Sequence, residues 1–264
     1  METYNQYHRN PKQYNFLSIF EENCVAIRNE YNNFLQDKTI NFDLISQVMT
    51  PHSKTITTKK TGTYEGIGLL FHGKSFLQLV QDSQLNWTGL ENDAVEQELK
   101  QVFAKHFKLT LECVAKANAL SDNGIRNVYF SVFKPGLDIK CHINYNPHIY
   151  RGYLGLIVPP GDIAMKICGE TLHWHEGEIM VLDHTFPHCP HNRTTQSRVA
   201  LIVDFFQPDK NRNEMVALEK KLVDERMKTN PYGFGVFGDE DYVSAEDLKK
   251  YGFDHQEQWS SNLL

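Results

Sequence analysis

The chain has no long run of lysine or arginine, no cysteine pair spaced C-x-x-C and no stretch of about 18 apolar residues. The first absence, with a net charge of −6 and a pI near 6.1, excludes the basic face that nucleic-acid phosphates require. The second leaves five cysteines, at 24, 113, 141, 168 and 189, as an odd set without a disulfide framework, and they are read as reduced thiols. The third excludes a membrane-spanning helix. The opening METYNQYHRNPKQYN lacks the apolar segment of a secretion signal. Together these absences predict a cytoplasmic protein without a nucleic-acid partner or a membrane span, whose partners are small molecules or proteins.

What is present is a core-forming share of hydrophobic residues, 41% of 264, enough for one large domain with an appendage. The chain divides into a flexible N-terminus (1–16), a main domain (17–208) and a helical C-terminal extension (209–264). Leu17, Phe20, Cys24, Ile27, Tyr31 and Phe34 recur at spacings of three and four, which predicts an amphipathic helix over Leu17–Leu35. Residues 36–66, Thr/Lys-rich through HSKTITTKKTGTYEG, read as a loop or an exposed hairpin. A second helix opens at Asn92 or Asp93 and carries Val95, Leu99, Val102, Phe103 and Phe107.

From Leu109 the apolar period drops from 3.6 to 2, and NVYFSVFKPG, YLGLIVPPGD, IAMKICGE, EIMVLD and RVALIVDFF follow, punctuated by Gly and Pro. Strands this short predict a sandwich or jelly roll. After Pro208 helical spacing returns, with Met215, Leu218 and Leu222 set against Glu219, Lys220 and Lys221. PYGFGVFGDEDY comes next, and Ser244-Ala245-Glu246-Asp247 caps a short final helix ended by Gly252.

Seven of the twelve histidines, at 142, 148, 173, 175, 184, 188 and 191, fall inside the strand-rich stretch. Neutral imidazole offers a lone pair near pH 7, and a jelly roll can aim ligands from separate strands into its mouth. His173 and His175 flank Trp174 and share the opposite strand face, with no third ligand nearby. In HTFPHCPH (184–191), Pro187 and Pro190 exclude the helix that would gather its three histidines, and His184 and His191 are expected to be exposed at the turns. His142 and His188 each end a short strand. Non-haem iron oxygenases hold iron with two histidines and a carboxylate, usually as H-x-D/E plus a distant His, but His142-Ile143-Asn144 puts an amide in the carboxylate's place. Arg198 lies 198 − 188 = 10 positions after His188, where such enzymes commonly place the cation that pairs with the far carboxylate of 2-oxoglutarate. Cys141 and Cys189 adjoin both histidines, yet strand neighbours point to opposite faces, so neither is counted as a ligand.

At these residues the chain resembles the aspartyl/asparaginyl β-hydroxylase family of iron(II)/2-oxoglutarate dioxygenases. The resemblance runs from FSVFKPG at Phe130 through His142, RGYLGLIVP and GETLHWHEGEIMVLDHTFPH to RVALIVDFFQP, and is weaker over residues 17–129. It implies a mainly β fold, a double-stranded β-helix (jelly roll, cupin-like) with packing helices on the N-terminal side. Carried over residue by residue, the iron ligands fall on His142 and His188, and the 2-oxoglutarate contacts on Ser131, Arg151 and Arg198. Tyr153 stands where the well-known animal member has a cosubstrate-binding histidine; a phenol can still donate to a carboxylate. Asn144 stands where that member has glycine, so no carboxylate ligand is expected; Asn144 either binds through its amide oxygen or only turns the chain, with water completing the coordination.

The activity so implied is hydroxylation of an unactivated C–H, at the β-carbon of an amino acid, a peptide residue or a related small molecule. It uses Fe(II), 2-oxoglutarate and O2 and releases succinate and CO2, with His142, His188 and Arg198 as the catalytic set. Three rivals stay open. They are a non-catalytic jelly-roll binding module, as Tyr153 and Asn144 permit; a radical halogenase using the carboxylate-free site; and a zinc cupin enzyme that works without oxygen. Residues 209–264 read either as a lid over the site or as a homodimer contact.

Overall fold

Alternation in five apolar runs decides the architecture, because a strand that is apolar on both faces must be covered on both. The computed structural model describes residues 4–42, 64–75, 77–78, 92–121, 124–139, 141–143, 148–229 and 249–251. Eleven strands lie among them: β1 (His8–Arg9), β2 (Tyr64–Phe71), β3 (Lys74–Ser75), β4 (Ile125–Phe133), β5 (Leu137–Asp138), β6 (Ile149–Ile157), β7 (Ile163–Ile167), β8 (Glu170–Leu172), β9 (Ile179–Leu182), β10 (His188–Asn192) and β11 (Arg198–Phe206). They form a large sheet, β1-β9-β6-β11-β4-β2-β3, and a small one, β5-β10-β7-β8. All pairings are antiparallel, and the facing sheets make the expected double-stranded β-helix.

Strand β11 sits at the centre of the large sheet, and all nine of its residues are buried. Val199, Leu201, Val203 and Phe205 point out of the jelly roll, joining Phe130 and Val132 of β4 and Leu154 and Leu156 of β6 beneath the helices. Ile202, with Phe133 and Tyr153, points inward against Leu137, Met165, Trp174 and Leu182. Each fully buried side chain of this size stabilises the fold by about 1.5–3 kcal/mol. Gly155 is a glycine for a physical reason: a β-carbon there would run into the His175 backbone carbonyl, which packs across this end of β6.

The predicted stripe Leu17, Phe20, Cys24, Ile27, Tyr31 and Phe34 is buried along its whole length. Its helix is split into Ser18–Glu22 and Cys24–Gln36, because the Asn23 side chain donates to the Ile19 carbonyl at 2.8 Å and competes with the helical ladder. The second predicted helix runs Asn92–His106 and buries Val95, Leu99, Val102 and Phe103. Within the stretch expected as a flexible N-terminus, His8–Arg9 pairs with β9, and Tyr14 and Phe16 enter the core.

Three expectations are corrected. The period does not fall to 2 at Leu109: Lys108–Leu120 is a helix, with Thr110, Cys113, Val114 and Ala117 on its buried face. Of the stretch read as a loop or an exposed hairpin, Tyr64–Gly66 is strand and opens the β2–β3 hairpin. On the C-terminal helix Arg212–Thr229, Met215 and Glu219 face inward while Leu218 is 37% exposed. The inward carboxylate is held by a buried ion pair with Arg126, which fixes the helix to the start of β4. Finally, the cysteines are not all thiols: Cys141 and Cys189 are joined by a disulfide, leaving Cys24, Cys113 and Cys168 free. The cause is register. His142 and His188 exchange both backbone hydrogen bonds (3.1 and 3.0 Å), so their neighbours form the close, non-hydrogen-bonded pair, with Cα atoms 4.4 Å apart. PYGFGVFGDEDY and the cap at Ser244 lie outside the described residues, as does the side chain of Leu222.

Candidate active site

Strand parity gathers the candidate residues. Ser131 of β4 pairs with Ala200, Tyr153 of β6 with Ile202 and Arg151 with Asp204, so all three share the inner face of the large sheet with Arg198. Across the gap, the small sheet presents His188 at the start of β10, bridged to His142.

At one end of the interior are the imidazoles. The rings of His142 and His188 lie 4.2 Å apart, centroid to centroid, and both residues are buried. The Nδ1 of His188 donates to the Phe186 carbonyl at 2.9 Å, which places the ring's lone pair on Nε2, a buried atom with no hydrogen-bond partner among the described residues. Burial, and then the neighbouring His142, push the His188 pKa well below the ordinary imidazole value, so the ring is a neutral donor. Two close imidazoles, one of them with an orphaned ring nitrogen, fit a divalent transition metal. Among the described residues no set of three His, Cys, Asp or Glu converges as a ligand group, so these two rings are the share that those residues could offer. Asn144 is outside them.

At the other end is Arg198, a fully buried cation. Its guanidinium lies 3.5 Å above the Phe133 ring and 4.6 Å from that of Trp174. Nη1 reaches the Ser131 carbonyl at 3.2 Å and the Ser131 hydroxyl at 3.4 Å, while Nε and Nη2 are buried without partners among the described residues. Burial pulls its pKa down to about 10, and among the described residues no carboxylate compensates the charge. Trp174, 3% exposed, also carries an unpartnered indole N–H. Leaving such donors unmade costs about 1–3 kcal/mol each, more for a charged group, so this end is built for an anion.

Arg151 differs. It grips Asp204 with two parallel hydrogen bonds, Nε to Oδ1 at 2.6 Å and Nη2 to Oδ2 at 2.8 Å. Despite the desolvation that burial imposes, the Asp204 charge holds the guanidinium pKa well above its usual value. Arg151 stays within electrostatic reach of the imidazoles, since its charge helps to lower the pKa of His184 and His188.

Two expectations about histidines fail here. His184 and His191 are each only 4% exposed. His191 turns to the other side of β10 and bonds Asp162 at 2.7 Å. His184 lies in the interior, its ring 4.0 Å from that of His188 and stacked on Tyr153, with Nε2 2.7 Å from the phenol oxygen. A proline-flanked turn looked like surface, but Asp183 ties it down by accepting from the Thr185 amide and hydroxyl at 3.0 and 2.7 Å. Trp174 was treated only as the spacer between His173 and His175; both of these are exposed, whereas the tryptophan covers Arg198. Cys141 and Cys189 point away from the imidazoles, in keeping with their exclusion as ligands.

A family model described as Aspartyl/Asparaginyl beta-hydroxylase matches residues 21–208. Among curated proteins, the ornithine lipid ester-linked acyl 2-hydroxylase of Rhizobium tropici is 37% identical over 33% of this chain and 32% of its own length. The aspartyl/asparaginyl beta-hydroxylase of Homo sapiens is 27% identical over 31% of this chain and 11% of its own. The aspartate beta-hydroxylase domain-containing protein 1 of Mus musculus is 33% identical over 38% and 28%. The chain thus spans about a third or less of the length of these relatives. Solved structures that align include a predicted oxalate decarboxylase of Thermotoga maritima (TM-score 0.32, 13% identity, 61% of this chain and 96% of that one). Another is the Cnp3 cupin domain of Schizosaccharomyces pombe (TM-score 0.27, 10% identity, 37% and 61%). The fold assignment rests on the two sheets themselves.

Proposed function

This chain belongs to the aspartyl/asparaginyl β-hydroxylase family, and from that premise we propose that it is an iron(II)- and 2-oxoglutarate-dependent hydroxylase. The observation that carries the reading is the buried Arg198 guanidinium, two of whose nitrogens lack partners, in the same interior as the His142–His188 pair. A dicarboxylate with a metal-chelating keto acid at one end and a free carboxylate at the other satisfies both ends at once.

His142 and His188 hold the iron. Arg198 receives the distal carboxylate as a charge-assisted, fork-shaped pair, with Ser131 orienting the guanidinium and Phe133 and Trp174 excluding water around it. Arg151, locked onto Asp204, supplies a fixed positive field beside the imidazoles. When bound, ferrous iron with 2-oxoglutarate and dioxygen supplies the oxidising chemistry, yielding succinate, CO2 and a hydroxylated substrate. The protein's share is to orient and to keep the interior dry.

The names of the relatives narrow the substrate. The β-carbon of an aspartyl or asparaginyl residue and carbon 2 of an ester-linked acyl chain both adjoin a carbonyl carbon. The substrate class is therefore a C–H next to a carbonyl, in an amino acid, a peptide residue or an acyl group.

The test is succinate release from 2-oxoglutarate in air by the iron-loaded protein, first alone and then with candidate substrates. Slow release that His188→Ala abolishes is the expected result. Iron binding without any succinate would point to a binding module, and turnover with zinc in the absence of oxygen to the cupin alternative.

A further inference from the structure

We propose that His184 is a third functional imidazole of this site, donating a hydrogen bond from Nδ1 to a carboxylate oxygen of bound 2-oxoglutarate, with Tyr153 fixing its tautomer. The inference rests on the cosubstrate reading above.

The geometry comes first. His184 is 4% exposed, its ring edge meets the His188 ring at 4.0 Å with an interplanar angle of 63°, and its other face stacks on Tyr153 at 28°. Its two nitrogens are unequal. Nε2 lies 2.7 Å from the Tyr153 hydroxyl, while Nδ1 is buried with no partner among the described residues.

Which nitrogen bears the proton follows from acidity. In a phenol–imidazole pair the phenol is the stronger acid, so Tyr153 donates and Nε2 accepts. A neutral imidazole has one N–H, so it sits on Nδ1. Nδ1–H therefore cannot ligate a metal, in keeping with the absence of a three-residue ligand group among the described residues. What it can do is donate, and a buried donor beside two metal-holding imidazoles meets the metal-chelating end of the ligand.

Tyr153 also acquires a different role. The resemblance made it a direct cosubstrate contact, but its hydroxyl is already engaged by His184. The pair acts as one unit, with tyrosine behind and imidazole in front.

The test is an anaerobic calorimetric titration of 2-oxoglutarate into manganese(II)-loaded protein, with manganese affinity measured separately. His184→Ala is expected to weaken 2-oxoglutarate binding about tenfold to a hundredfold, or about 1.4–2.8 kcal/mol, and to leave manganese affinity unchanged. His184→Asn, whose amide N–H can take the place of Nδ1–H, should recover most of the loss, whereas His184→Gln should not. Tyr153→Phe, which frees the tautomer, should weaken binding by a smaller factor and serves as the second probe should His184→Ala fail to fold. Unchanged 2-oxoglutarate affinity in both His184→Ala and Tyr153→Phe would reduce His184 to packing. A fall in manganese affinity of tenfold or more would make it a ligand instead. Either result overturns this proposal alone, while failure of the wild-type protein to bind 2-oxoglutarate overturns the functional reading with it.

Discussion

The two faces of strand β11 are made from alternate residues of one nine-residue segment, yet they do opposite things. The outward set, Val199, Leu201, Val203 and Phe205, is wholly apolar and packs under the helices. The inward set includes Arg198 and Asp204, both buried. Even the two inner arginines diverge: Arg151 is paired to Asp204, and Arg198 has two nitrogens with nothing to bond among the described residues. A buried charge that is neutralised by its neighbours belongs to the scaffold; one that is left uncompensated is waiting for a ligand. The outer face therefore carries stability, and the inner face spends some of it on binding.

Substitutions can break this division, and the largest effect is expected at the imidazoles. His188→Ala should abolish iron(II) binding, scored by metal analysis after desalting, whereas His191→Ala, whose ring bonds Asp162 on the other side of β10, should retain the metal. Phe130→Ala, on the helix side, should cost about 3–5 kcal/mol in urea unfolding and leave metal affinity untouched. Asp204→Asn removes the partner of Arg151 and should cost about 3 kcal/mol, a loss that makes this pair structural first. Reduction of Cys141–Cys189 opens a loop of 48 residues and should cost about 2–4 kcal/mol; thiol titration in denaturant should count three thiols before reduction and five after it. Smallest should be the stability effect of Arg198→Met, within about 1 kcal/mol of wild type or slightly stabilising, because an uncompensated buried cation gives way to an apolar side chain of similar reach.

The same division explains what was legible in the sequence. Period-2 runs gave β4, β6, β7, β9 and β11, and the 3.6-residue stripe gave the first helices, because one buried face per element imposes a repeat on the chain. His142, His188, Ser131, Arg198 and Tyr153 could be named through a family resemblance, and all of them line the interior. What escaped depended on partners distant in the chain. His184 is buried by the Asp183–Thr185 turn and by Tyr153, 31 positions earlier. Cys141 meets Cys189 only because His142 and His188 pair in register. Glu219 reads as a solvent-facing charge on its helix until Arg126, 93 positions earlier, is brought beneath it. Lys108–Leu120 was misjudged at its start, where a run of mixed apolar residues fits either period, and the tertiary contact of Cys113 and Ala117 decided for helix.

The most direct measurement follows the visible charge-transfer absorption as 2-oxoglutarate is added, without oxygen, to iron(II)-loaded wild-type protein and to Arg198→Met. The account predicts a saturable band in the wild type, and in Arg198→Met the same band only at concentrations at least about a hundredfold higher, since a charge-assisted pair has been lost from a dry site. Equal affinity in the two proteins, or no band in the wild type, would contradict it.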